Sequence, residues 1–234
     1  KVQHAGVVKI HHDGRTPGGP YMVQELITGE PLDRVLAREP LTPRRAAEVA
    51  RDLALALGAV HARDLLHRDL KPANVILRPD GQPVLIDFGL AWDAQAETLT
   101  RTGAMLGTPA YMAPEQVRGR SSSELDPRCD VYGLGVILYE MLTGRCPFEA
   151  ETPLALFARV LAEEPEWPVA LRPEVPGDLD PICRRTMAKD RDARYPSVQA
   201  VHDDLTRFLA GEPLDAATTR RAGSSASALA RSVA

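Results

Sequence analysis

Two short apolar segments around an Asp-Gly turn, bordered by polar residues, constrain the fold of this chain more than any other feature. Residues 75–78 and 83–86 enclose this turn at residues 80–81, a pattern typical of an antiparallel hairpin. With the turn centred on these two residues, the predicted register places Asn74 opposite Asp87. Opposed residues in such a ladder have Cα atoms about 4.5–5.5 Å apart. The sequence therefore predicts an amide oxygen and a carboxylate at one edge of the hairpin.

The polar residues at this edge have the chemistry of a phosphoryl-transfer site. Asn74 and Asp87 offer two oxygen ligands to a hard cation such as Mg²⁺, which takes its remaining ligands from water and phosphates. Asp69 and Lys71 lie just upstream and supply a proton acceptor and a point charge for a phosphate. Each residue alone is typical of a solvated hairpin end, but the four at this spacing favour a reactive site.

The segment from His67 to Gly89 resembles the catalytic segment of eukaryotic-type Ser/Thr protein kinases, most closely the bacterial ones. The resemblance implies an α+β, protein-kinase-like fold, with a mainly helical C-terminal lobe and a remnant of the antiparallel sheet of the N-terminal lobe. It also implies transfer of the ATP γ-phosphoryl group to Ser or Thr of protein substrates, with ATP and Mg²⁺ bound.

The same resemblance implies roles for individual residues. Asp69 corresponds to the catalytic base, Lys71 to the residue that neutralises the transferred phosphate, and Asn74 and Asp87 to the magnesium ligands. A Lys two residues after the catalytic Asp is the Ser/Thr-specific form of this loop. Arg68 has the position that couples activity to phosphorylation of the activation loop.

A second match lies downstream, where residues 107–115 resemble the substrate-docking end of the activation segment. Thr108 is expected to hydrogen bond with Asp69 and Lys71. Because this segment docks a polypeptide, it disfavours a kinase that acts on small molecules.

Three further residues resemble structural elements of the family. Asp130 corresponds to the residue that anchors the catalytic-loop backbone, although an N-terminal helix cap is an alternative role for it. Glu115 and Arg194 resemble the ion pair that fixes the activation segment to the helical lobe.

Residues 21–27 resemble the strand that leads into the adenine-binding hinge. Gln24 corresponds to the gatekeeper, and the Glu25 carbonyl and the Ile27 amide are expected to face the adenine. Ile76 is assigned to the same nucleotide site. A buried edge strand would have a similar pattern. Three residues match the apolar column that aligns the two lobes: Ile10, His67 and Phe88.

The expected activation loop contains several threonines. Thr100 and Thr102 match the autophosphorylated pair of bacterial relatives, and Thr98 lies close by. A phosphate there can form charge-assisted bonds with Arg68. Trp92 occupies a position where relatives carry a Lys or Arg, which weakens the expected switch.

The N-terminal part departs from the family pattern. No G-x-G-x-x-G occurs in the sequence, and Lys9 is the only lysine in a strand-like setting, with no helix after it to supply a Glu. We expect the chain as given to lack the Gly-rich loop, the strand Lys and the helix Glu, and to be inactive in isolation. A truncated pseudokinase that acts as a binding or scaffold module is the alternative.

The domain boundaries follow from these matches. Residues 1–27 are expected to hold residual N-lobe strands, at 7–10 and 21–27, and the hinge. Residues 28–211 are expected to form the C-lobe, and residues 212–234 a flexible tail or linker, because they contain few large apolar groups.

Helix signals fill most of the C-lobe. Thr42 and Pro43 are typical of a helix start, as are Thr152 and Pro153. Residues 131–142 are apolar around the whole circumference, which predicts a central buried helix.

Composition narrows the partners and the location. A net charge of −4 gives no indication of a basic, nucleic-acid-binding surface. Three cysteines without C-x-x-C spacing indicate free thiols in a reducing, cytoplasmic setting. We expect a cytoplasmic catalytic domain whose parent protein is anchored in the membrane.

Overall fold

The computed structural model describes residues 2–87, 109–119 and 121–218. Its first element is an antiparallel hairpin of β1 (Ile10–Thr16) and β2 (Gly19–Gln24). A second antiparallel sheet has the strand order β3-β4-β5, formed by Glu30–Pro31, Val75–Leu77 and Pro83–Leu85. The fold is thus α+β, with small antiparallel sheets beside a mainly helical body.

The helical body begins at Leu32 and includes most of the described residues after it. Its helices are α1 (Leu32–Leu36), α2 (Pro43–His61), α3 (Pro114–Val117), α4 (Arg128–Thr143), α5 (Pro153–Ala162), α6 (Pro168–Leu171), α7 (Leu179–Thr186) and α8 (Val198–Ala210). Single 3₁₀ turns occur at Pro72–Asn74, Pro109–Tyr111, Ser122–Glu124 and Arg191–Ala193.

The helix boundaries agree with the capping residues. The Thr42 hydroxyl accepts a hydrogen bond from the Arg45 amide at the start of α2, and Thr152 does the same for Ala155 at the start of α5. Gly144 ends α4 in the left-handed conformation, with φ of 76°, which glycine adopts without a steric penalty.

Helix α4 is the centre of the domain, as its apolar circumference predicts. Its residues from Cys129 to Tyr139 are all buried, and α2, α7 and α8 pack around it. Burial of this many apolar side chains in one helix supplies a large share of the hydrophobic stabilisation.

The first hairpin differs from the prediction in its boundaries. The strands were predicted at 7–10 and 21–27, but β1 continues to Thr16, β2 starts at Gly19, and residues 25–27 follow β2 outside the ladder. Val7 and Val8 are buried against the body, where the Val8 amide donates to the Leu85 carbonyl at 2.9 Å. The apolar run at 7–10 therefore joins β5 first, and the hairpin begins only at its last residue.

The second hairpin has a register shifted by one residue from the prediction. Val75 pairs with Leu85, and the Ile86 amide donates to the Asn74 carbonyl at 3.0 Å. The loop has three residues because Gly81 adopts a φ of 87°, the usual geometry of a three-residue hairpin loop. Asp87 is therefore one residue beyond the position opposite Asn74.

The segment after α8 is partly packed, which corrects the expectation of a flexible tail for residues 212–218. Thr218 is fully buried, and its hydroxyl donates to Asp204 Oδ2 at 2.5 Å. Tyr195 donates to the same oxygen, and the Asp215 amide donates to Asp204 Oδ1. We call Tyr195, Asp204, Asp215 and Thr218 the C-terminal clasp. Small polar residues dock here because a buried carboxylate requires donors.

We expect the C-terminal clasp to make the free energy of unfolding depend on pH. Burial raises the pKa of Asp204, but hydrogen bonds from Thr218, Asp215 and Tyr195 outweigh it and lower the pKa below its usual range. The unfolded state therefore binds the proton more readily. Asp204 stabilises the fold above a pH of about 4, the ordinary value for Asp, and this stabilisation is lost as pH falls further.

Asp204→Asn should lower the free energy of unfolding at pH 7 by about 1.5–3 kcal/mol, since hydrogen bonds to a charged group are lost. The difference from the unmodified chain should shrink below pH 4 in urea titrations. Asp178→Asn, at an exposed residue without a capping bond, is the control. An Asp204 variant with unchanged stability at pH 7 would contradict this role.

Within the residues that the structure describes, no helix is long and apolar enough to cross a membrane.

Candidate active site

The loop before β4 gathers three of the predicted site residues. Lys71 Nζ lies 2.8 Å from Asp69 Oδ2, and Asn74 Nδ2 donates to the same oxygen at 3.0 Å and to the Asp69 carbonyl at 2.8 Å. The 3₁₀ turn Pro72–Asn74, opened by a proline with a preset φ, brings Asn74 back to Asp69. A carboxylate, an ammonium and a carboxamide thus share one hydrogen-bond cluster.

Asp130, on α4, fixes the backbone of this loop. Its carboxylate is fully buried in the first turn of α4 and accepts hydrogen bonds from the backbone amides of His67 and Arg68, each at 2.9 Å. His61 Nε2 contacts Oδ2 at 2.8 Å. Burial raises the pKa of Asp130, but the hydrogen bond and charge of His61 lower it below the usual range. The residue is not the helix cap, since that position is Pro127.

The backbone at the reactive loop has unusual conformations. Arg68 has a φ of 63° and Asp87 a φ of 51°, a region that costs non-glycine residues free energy and persists only where neighbours hold it. The hydrogen bond that the Arg68 amide donates to Asp130 Oδ1 holds Arg68 in this way. Such conformations are common at functional sites.

His67 is a buried link between the two halves of the site. Its Nε2 lies 3.2 Å from the Ile86 carbonyl, one residue before Asp87. Because a carbonyl only accepts, Nε2 carries the hydrogen. Burial lowers the pKa of His67, so the ring is neutral. His67 therefore ties the loop that carries Asp69 to the segment that carries Asp87.

The oxygen ligands predicted for magnesium fit that ion in their chemistry. Both Nδ2 hydrogens of Asn74 are directed to Asp69, so its Oδ1 is the atom left to bind a cation. Asp87 is exposed and follows the residue paired with Asn74. One amide oxygen and one carboxylate match the few protein ligands that Mg²⁺ takes beside phosphates and water.

The ion pair expected between Glu115 and Arg194 is confirmed. Two parallel bonds of 2.7 and 2.8 Å join the guanidinium to the carboxylate, and both side chains are buried. Arg194 also donates to the Arg128 and Ala188 carbonyls. All donors in this buried group have partners, as such a pair requires.

Sequence reasoning missed two contacts around the segment that follows residue 108. Gln116 is buried and bonds the Arg68 carbonyl. Tyr111 donates to Glu140 Oε2 at 2.7 Å, which attaches the segment to α4. Tyr111 lies within the docking-segment match at residues 107–115, but that match did not indicate its contact with Glu140. Gln116 lies one residue beyond the match, so only its polar type next to the segment could have drawn attention to it.

The predicted hinge lies beside the turn of the second hairpin. Glu25, half-buried, contacts Arg78 at 3.4 Å, and its amide donates to the Lys9 carbonyl. Residues 25–28 and 78–80 line an open cleft of about 400 Å³. Ile27 is half-buried in this segment, whereas Ile76 is on β4. Within the described residues, no hydrogen bond joins Glu25, Ile27 and Ile76.

Several predicted residues lie outside the residues that the structure describes. They are Phe88, Trp92, Thr98, Thr100, Thr102 and Thr108. Their roles stay predictions. Of the predicted free thiols, Cys129 and Cys183 are buried, and Cys146 is partly exposed.

Comparisons with known proteins agree with this geometry. Residues 1–206 match the protein kinase domain family. The chain is 36% identical over 222 residues to Serine/threonine-protein kinase PknB of Mycobacterium tuberculosis, covering 92% of this chain and 35% of that protein. It is 39% identical over 211 residues to Serine/threonine-protein kinase PknH of Mycobacterium bovis, covering 88% and 35%.

This chain belongs to the protein kinase family, and its relatives are bacterial Ser/Thr kinases. It spans about a third of the length of these relatives.

Proposed function

We propose that the chain is the greater part of the catalytic domain of a Ser/Thr protein kinase, which transfers the γ-phosphoryl group of ATP to Ser or Thr of protein substrates. The observation that carries this proposal is the cluster of Asp69, Lys71 and Asn74 in one loop, held from below by Asp130. In this proposal residues 1–27 are the N-lobe remnant with the hinge, and residues 28–211 are the C-lobe.

Asp69 acts as the catalytic base. Its Oδ2 is held by Lys71 and Asn74, so the carboxylate has a fixed direction from which to accept the proton of the substrate hydroxyl. Lys71, whose ammonium lies 2.8 Å from this oxygen, balances the charge of the phosphoryl group as it moves to the hydroxyl. Phosphoryl transfer depends on such positioning and charge compensation rather than on covalent chemistry by the protein.

Asn74 Oδ1 and Asp87 would hold Mg²⁺, which neutralises the phosphate oxygens when it is bound with ATP. The Glu25 carbonyl, the Ile27 amide and Ile76 are the proposed contacts to the adenine. They are supported by the position of residues 25–28 directly after β2.

Arg68 is the proposed receptor for a phosphate on Thr100 or Thr102, and Thr108 the proposed partner of Asp69 and Lys71. A phosphate on either of the first two threonines would pair its charge with the guanidinium. The longer protein is proposed to be anchored in the membrane with this domain in the cytoplasm.

The expected result of a labelled-ATP assay is a difference between two lengths of the protein. The 234-residue chain contains no G-x-G-x-x-G to cover the phosphates, so it should incorporate little phosphate. A longer reading frame that supplies this loop should autophosphorylate, and the Thr100→Ala/Thr102→Ala double variant should lose most of the label.

The two parts of the proposal fail separately. A longer protein that stays silent, although it binds ATP and Mg²⁺, would overturn the enzyme assignment. Full activity of the 234-residue chain would instead overturn the assignment of an incomplete nucleotide site.

A truncated pseudokinase that serves as a binding or scaffold module is the second candidate. The observation that favours it is the helical lobe, whose α4 is buried from Cys129 to Tyr139 although no Gly-rich loop occurs in the sequence. The reading frame upstream of residue 1 discriminates, because an in-frame Gly-rich loop favours the enzyme.

A further inference from the structure

Gln116 makes two hydrogen bonds that join distant parts of the site. Its Nε2 donates to the Arg68 carbonyl at 2.9 Å, and its Oε1 accepts from the Ala113 amide at 2.9 Å. Both partners are backbone groups of fixed polarity, so the carboxamide fits in this orientation only. The side chain is 6% exposed, which strengthens both bonds and makes the loss of either one costly.

The bond to Arg68 completes a clamp around a strained residue. Asp130 Oδ1 accepts from the Arg68 amide, and Gln116 donates to the Arg68 carbonyl. Arg68 has a φ of 63°, and it directly precedes Asp69. With its amide and its carbonyl both held, the peptide that joins it to Asp69 has one orientation, and this peptide sets the backbone position from which the Asp69 side chain projects.

Gln116 also ties this clamp to the segment expected to dock the substrate. It lies on α3, next to Glu115, which is fixed by Arg194. Its Oε1 accepts a hydrogen bond from the amide of Ala113, the last residue before α3 in the segment that starts at residue 109. A shift of this stretch therefore changes the position of the Gln116 carboxamide and with it the Arg68 peptide.

We propose that Gln116 is a positioning residue that couples the docking segment to the catalytic carboxylate of Asp69. The inference rests on the proposed function, because it assumes that Asp69 is the base. Gln116 does not touch the reacting atoms. It acts on the reaction by holding the peptide from which Asp69 projects.

A purely local role is the competing explanation, since the bond from the Ala113 amide to Gln116 caps α3. Gln116→Glu separates the two roles. A carboxylate keeps the acceptor for Ala113 but has no hydrogen to donate, and it places a negative oxygen against the Arg68 carbonyl. Gln116→Met removes both bonds at similar length and is the second variant.

The first measurement is amide hydrogen exchange in the 234-residue chain, which needs no activity. Gln116→Glu should speed exchange at residues 67–70 about five- to tenfold, the ratio expected for the loss of one hydrogen bond. Exchange at the α3 amides should stay near that of the unmodified chain. The matched control is Gln199→Glu, at an exposed residue on α8 whose side chain, among the described residues, bonds His202 and Asp203 of the same helix. It should leave exchange at residues 67–70 unchanged.

The second measurement is steady-state kinetics in the longer kinase. Gln116→Glu and Gln116→Met should lower kcat about 10- to 100-fold, as small displacements of catalytic groups do, while KM for ATP stays within twofold. Unchanged exchange at residues 67–70, or faster exchange with unchanged kcat, would overturn the coupling. If the unmodified longer protein is inactive, the proposed function fails, while the exchange data still decide whether Gln116 holds the loop.

Discussion

Replacement of Glu115 by alanine is expected to lower the free energy of unfolding by about 3–5 kcal/mol, the cost of leaving one partner of a buried ion pair uncompensated. The Arg194 side chain is fully buried. Its guanidinium would keep the Arg128 and Ala188 carbonyls as partners, but no carboxylate would balance its charge. Urea unfolding followed by circular dichroism measures this loss.

The chain offers a matched control for this prediction. Glu30 and Arg38 also form an ion pair with two parallel hydrogen bonds, of 2.6 and 2.8 Å, but this pair lies on the surface. Exposed pairs contribute little because water and salt screen them, so Glu30→Ala should leave the unfolding midpoint almost unchanged. Equal effects of the two variants would show that burial is not the source of the Glu115 effect.

The second large effect is expected at Asp69. Asp69→Asn in the longer kinase should lower kcat about 10²- to 10⁴-fold, the contribution typical of a general base. The Asn side chain is isosteric and keeps an oxygen for Lys71 and Asn74, so the loop should fold as before. Binding of ADP with Mg²⁺, measured by calorimetry, should stay within a fewfold of the unmodified protein.

Asp64→Asn is the control for the charge change. Asp64 is exposed, lies five residues upstream and has a φ of 55°, which Asn tolerates. Its kcat should be unchanged. If Asp69→Asn retains kcat within threefold of the unmodified enzyme, Asp69 is not the base.

The helices were predicted well because their signals are local. Thr42 and Thr152 cap helices where they were expected, and the apolar circumference of α4 predicted its burial. Strand boundaries were less accurate, since pairing depends on distant partners. The apolar run at 7–10 was predicted to be one strand. In the structure Val7 and Val8 lie beside β5 and are buried, and only Ile10 belongs to the first hairpin.

The sequence predicted which residues form the candidate site more accurately than it predicted their geometry. Asn74, Asp69 and Lys71 do meet in one cluster. The register of the second hairpin was wrong by one residue because the conformation of Gly81, and with it the loop length, is not apparent from an Asp-Gly pair. Asp87 therefore follows the residue paired with Asn74 instead of standing opposite it.

By itself, the sequence determined the family resemblance, the chemical types at the site and the helices, because these depend on residue identity and short-range periodicity. Only the tertiary structure decided that Gln116 holds the Arg68 carbonyl and that Thr218 closes on Asp204. These contacts join residues 48 and 14 positions apart. Buried polar groups must find partners wherever the packed chain provides them, and that choice is made by packing rather than by any local pattern.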